Sequence, residues 1–182
     1  TTIGAVIQKE ILLSAVKSVV LSSLFIVIYL SVRFGVALGG FKNGFKFGIS
    51  AIAALVHDVL FVIGIAGIFG KIMGWEVSSL FVTAMLTVIG FSVHDTIVIF
   101  DRIRENLRKP QPDEDFMHLC DRSISQSLAR SLNTAGTVVV TLAIMIAAGT
   151  PTIDLKFFCV TMLAGIVSGT YCSIFNATPI LY

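Results

Sequence analysis

The sequence predicts an all-α polytopic transmembrane helix bundle, on three observations. Hydrophobic residues make up 55% of the 182, before the 15 glycines are counted, and charged residues only 13%, about half the ~25% usual in soluble domains. Mean hydropathy is +0.93. The apolar residues gather into five runs long enough to cross a bilayer as helices, near 11–32, 47–69, 78–100, 128–149 and 157–179. A water-soluble chain of this size has too little polar surface to cover such a composition. Each run is about twice the length of a barrel strand, so helices are the spanning form. No polar stretch is long enough for a second domain, and residues 1–182 read as one transmembrane unit.

Basic residues set the direction of the spans. Arg33, Lys42, Lys46, Arg102, Arg104, Arg108, Lys109, Arg122 and Arg130 fall on one side, and Lys9, Lys17, Lys71 and Lys156 on the other. The richer side is expected in the cytoplasm. The first residues then lie outside and the last ones inside. The chain opens on Thr1 without a signal-peptide pattern, and its odd number of spans fits a chain that lacks a preceding one. The net charge of +2 says little by itself, and no nucleic-acid partner is expected.

The connections are expected near 33–46, 70–77, 101–127 and 150–156. In 101–127, Pro110 and Pro112 interrupt the helical pattern, and Asp113 is placed to cap a new helix, with Glu114 and Asp115 at its positive end. Phe116, Cys120, Ile124 and Leu128 recur every fourth residue. That stripe predicts a helix lying along the membrane interface before the chain turns inward.

Carboxylates inside apolar spans need a reason, since each costs ~2.5–3.5 kcal/mol on insertion scales. Asp58 is near the middle of the second run. Asp95 precedes Phe100 by five residues, about 7–8 Å along a helix from the end of the third. Each follows a histidine, His57 or His94. Helix neighbours point about 100° apart, which argues against internal His–Asp pairs. His57 suits either a satisfied core histidine or a proton relay, and His118 is expected in solvent.

The fourth run carries a polar face. Ser123, Ser127, Arg130, Thr134, Thr137 and Thr141 recur at spacings of three and four, with Asn133 alongside. Such a face is expected on a hydrated seam or against other polar helices. Arg130 lies at a depth similar to that of Asp95. Burial disfavours the charged form of a carboxylate and a nearby guanidinium favours it. Asp95 between the two is therefore a candidate proton carrier, and a static pair fixing helix register is the plainer alternative.

Small residues mark the packing seams. Gly165 and Gly169 form a GxxxG pair, and Ala51 and Ala54 share the face of Asp58. Cys120, Cys159 and Cys172 have neither disulfide nor zinc spacing. No nucleotide-binding, metalloprotease or serine-hydrolase motif is present. No catalytic residue, metal or cofactor is expected.

From Gly90 to Asn106 the chain reads GFSVHDTIVIFDRIREN. This stretch resembles the SecF family of preprotein-translocase accessory subunits, whose SecD partners instead carry Asp-Ala-Asn and Phe-Glu-Arg. Tyr29–Phe34, Leu55–Asp58, Ser127–Thr137 and Gly169–Ile174 agree with it, so the resemblance covers nearly the whole chain. The family usually has Asn where His94 stands.

The resemblance implies a fold of the resistance–nodulation–division type, of which this chain is the last five spans, with one span and a periplasmic domain upstream. It implies a multi-pass protein of the bacterial inner membrane, or of a thylakoid membrane. Its implied partners are SecD, the SecYEG channel, the SecA ATPase and the preprotein, with protons as the coupling ion. Asp95 would carry the proton, with Arg130 as its basic partner and Asp58 and His94 as lesser contributors. Another proton-coupled transporter half is the runner-up. An intramembrane aspartyl protease would use Asp58 and Asp95, but its Gly-x-Gly-Asp motif is missing.

Overall fold

The computed structural model describes residues 2–37, 41–75, 77–109, 111–149 and 152–181. Thr1 and Pro110 lie outside the described residues, as do the side chains of Lys9 and Lys42. Five long helices follow one another: α1 (Thr2–Ala37), α2 (Phe41–Met73), α3 (Ser79–Arg108), α4 (Phe116–Ala147) and α5 (Ile153–Cys172). A π-helical turn, Ser173–Ala177, continues α5 into the short α6 (Thr178–Leu181). All five long helices are apolar enough and long enough to cross a membrane.

Local chemistry sets the ends. α2 and α4 stop before Gly74 and Gly149, which take φ of 68° and 87°, a left-handed conformation that glycine adopts without a Cβ penalty. Thr152 caps α5 by accepting from Leu155 N–H at 3.3 Å, and Asp154 sits in its positive first turn.

Two expectations about 101–127 are corrected. Asp115, not Asp113, caps α4, accepting from Phe116 N–H at 2.8 Å. Asp113 instead takes the left-handed position of the turn, φ 59°, a conformation Asp tolerates better than most residues. Nor is there a separate interfacial helix. α3 runs on to Arg108, and residues 116–127 are the opening turns of α4. Cys120 is buried, and Phe116 and Ile124 pack on the same core as Ile99, Phe100 and Ile103. The extension of α3 offers the first three residues of this stripe an apolar partner, so they pack against protein, while Leu128 stays exposed.

α5 is the central element, contacting α2, α3 and α4, while α1 packs on α2. The core has two apolar clusters. One joins Val62, Phe81, Met85, Val88, Phe157 and Ile166. The other holds Leu30, Phe34, Phe47, Phe100 and Ile103. In it Phe34 stacks on Phe47 with centroids 4.8 Å apart, and Phe100 meets Phe47 edge-on at 5.2 Å. Where one cluster gives way to the other, α2, α3 and α5 contribute buried polar residues, Asp58, Ser92, Asp95, Thr96 and Thr170 among them.

Candidate functional site

Asp58 is 1% exposed, so its charge needs protein partners. Ser92 of α3 donates its hydroxyl to Asp58 Oδ2. His57 Nδ1 lies 3.2 Å from Asp58 Oδ1, which corrects the expectation that adjacent residues cannot pair. Their Cβ directions diverge, but both side chains are long enough to bend toward each other. The two side chains also differ in setting, since His57 is 46% exposed and is not a core histidine. Ala51 and Ala54 are buried on the same face as Asp58.

Gly169 of α5 closes over this pair. A Cβ there would lie 3.0 Å from Ser92 Cβ and 3.6 Å from Asp58 Oδ2. One turn earlier, a Cβ on Gly165 would come within 2.5 Å of Val88 Cγ2 and 3.1 Å of Val62 Cγ2. The two glycines thus let α5 approach α2 and α3 closely. Beyond them the Thr96 and Ser173 hydroxyls meet at 2.8 Å, and Ser173 donates to Ser92 C=O at 3.4 Å.

Asp95 is 5% exposed, and its Oδ2 has no hydrogen-bond partner. Ser131 of α4 is its polar neighbour across the α3–α4 seam, yet the Ser131 hydroxyl is also unpartnered. Arg130 and His94 are both exposed. Among the described residues no ion pair joins Asp95 to Arg130, so the expected partners are not together in this conformation.

The reason is the pitch of the α4 contact. Its buried row runs Leu119, Ser123, Ser127, Ser131, Ala135, a step of four residues. Four residues advance a helix by 400°, so the row turns about 40° per step relative to the axis. The polar face of Arg130, Thr134, Thr137 and Thr141 keeps the 3.6 period and is left outside, exposed together with Asn133. Ser123 and Ser127 remain buried because the two rows coincide there. The threonines satisfy their hydroxyls on their own helix, Thr134 on Arg130 C=O at 2.9 Å and Thr141 on Thr137 C=O at 2.8 Å.

One polar lock went unread in the sequence. Asn106, 6% exposed, donates to Ser123 Oγ at 2.7 Å and accepts from Arg122 at 3.2 Å. Arg122 also holds Glu114 with two bonds of 2.7 and 2.6 Å, and its hydrogen bonds keep the Glu114 carboxyl below its ordinary value of 4.5. Arg102 reaches Gln126 at 2.7 Å. In sequence these residues belong to the stretch 101–127, whose apolar stripe predicts an interfacial helix. The one cue was a run of Arg, Asn, Glu and Gln on what proved to be facing helix ends.

A protein-family model described as Protein export membrane protein SecD/SecF, C-terminal, matches residues 1–182. The chain is similar to the protein translocase subunit SecF of Thermobaculum terrenum, 47% identical over 100% of this chain and 55% of that protein. It is 35% identical to the subunit SecDF of Bacillus subtilis over 99% of this chain and 23% of that protein. Among solved structures, SecDF from Thermus thermophilus, a translocon-associated membrane protein, matches with a TM-score of 0.73 at 32% identity, covering 91% of this chain and 21% of that one. The chain spans about half the length of the SecF relatives it matches. With helices able to span the membrane and this match over its full length, the chain belongs to the SecD/SecF family of protein export membrane proteins.

Proposed function

We propose that this chain is the membrane-embedded part of an accessory subunit of the Sec preprotein translocase, which works with SecD to draw on the proton-motive force during export through SecYEG after SecA. Its coupling ion is the proton, and it needs no resident cofactor and performs no catalysis. It sits in the bacterial inner membrane, with the basic α3–α4 end in the cytoplasm.

The observation that carries this reading is the unpartnered buried oxygen of Asp95. A buried carboxylate with one oxygen unpartnered in an apolar bundle exchanges a proton when water access changes. One charge crossing 100 mV supplies ~2.3 kcal/mol, enough to bias a helix rearrangement. Arg130 adjoins Ser131 in the chain. Rotation of α4 about its axis exchanges the serine for the guanidinium in front of Asp95 and gives the two states that coupling requires.

The test uses the full-length protein with its SecD partner in inverted vesicles. Asp95→Asn, at normal protein levels, abolishes the export stimulated by a proton gradient. Arg130→Lys reduces it in part, because the charge stays while the planar fork is lost. Unchanged stimulation in Asp95→Asn rejects the proposal.

A further inference from the structure

Away from Asp95, three metal-ligating side chains converge from two helices. His57 and Asp58 come from α2 and Cys172 from the end of α5, and their ligand atoms all lie within 4.8 Å of one another. We propose that these three residues form a binding site for a thiophilic divalent cation of the zinc class.

The geometry is close to what such an ion needs. Bonds of ~2.0 Å to nitrogen and oxygen give a tetrahedron an edge of about 3.3 Å, and His57 Nδ1 and Asp58 Oδ1 are 3.2 Å apart. Cys172 donates a long bond to Ala54 C=O, 3.6 Å from Sγ, and gives this up as its sulfur swings to the ion. Ser92 donates to Asp58 Oδ2, which fixes the carboxylate plane and leaves Oδ1, beside His57 Nδ1, as the ligating oxygen. Imidazole, carboxylate and thiolate together select a borderline-soft ion over magnesium or calcium.

Charge and access agree. Asp58 and Cys172 are 1% and 0% exposed. When the ion enters, the Cys172 S–H bond breaks, the sulfur binds the metal, and the proton leaves to water. One thiolate and one carboxylate then neutralise a divalent ion, so the loaded site adds no net charge to the apolar interior. His57, 46% exposed, lies on the side of the site that opens out of the bundle, and the fourth position is left for a ligand from outside these three residues. The bound ion ties α2 to α5. This inference does not rest on the proton reading, and its test reads binding rather than export.

The full-length protein in lipid nanodiscs is titrated with Co²⁺, then with Zn²⁺. One Co²⁺ per chain is expected, with a thiolate-to-cobalt absorption band that Zn²⁺ removes. Cys172→Ser abolishes the band, whereas Cys159→Ser, in the other core cluster, leaves it unchanged. His57→Ala alters an exposed side chain and keeps the fold, and it weakens binding by roughly tenfold or more. Absence of saturable binding, a band that persists in Cys172→Ser, or unchanged affinity in His57→Ala overturns the proposal.

Discussion

The Ser92 hydroxyl on α3 donates to Asp58 on α2, joining two helices through a carboxylate that is 1% exposed. Ser92→Ala leaves that oxygen buried without its donor and is expected to cost about 1–3 kcal/mol. Denaturation of the purified protein in detergent measures the loss. An unchanged midpoint means that water replaces the hydroxyl.

Gly165 bears on the packing of α5. Gly165→Ala drives a Cβ to within 2.5 Å of Val88 Cγ2, and overpacking of this kind costs about 1–3 kcal/mol. Val88→Ala opens the same space from the other side. The double variant is expected to be more stable than the sum of the single losses allows, and a double-mutant cycle on thermal midpoints checks this.

Ser131 makes the opposite prediction. Its buried hydroxyl has no partner, so Ser131→Ala removes an unsatisfied group and leaves stability unchanged or raised, by up to about 1 kcal/mol. A clear destabilisation shows that the hydroxyl is bonded in the membrane, and Asp95 would be its partner.

The Glu114–Arg122 pair carries a pH dependence. Arg122 holds the Glu114 carboxyl below its ordinary 4.5, so the folded state binds a proton less readily than the unfolded one. The pair's contribution is fully present above 4.5 and fades as pH falls through the lower folded value. Glu114→Gln is expected to flatten the acid side of a plot of thermal midpoint against pH. Parallel curves for the two proteins refute this.

Much of the fold was legible in residue order. Runs of apolar residues longer than 20 predict helices that cross a membrane whatever their neighbours are, because backbone groups in lipid must bond within their own segment. Carboxylates among those runs stand out by cost alone, which is why Asp58 and Asp95 were found. Gly165 and Gly169 were visible as a spacing, though the residues they admit, Val88, Ser92 and Asp58, were not.

Residue order alone carries the membrane class, the five helices and the rarity of their acidic groups, since composition and hydropathy are properties of each segment alone. The packing of the helices is what brings Asp58 to Ser92, Ser131 rather than Arg130 to Asp95, and Asn106 to Ser123. Those relations depend on the rotation and crossing of whole helices. A contact row stepping by four drifts away from a face repeating every 3.6 residues, and no single segment records how its neighbour will lie.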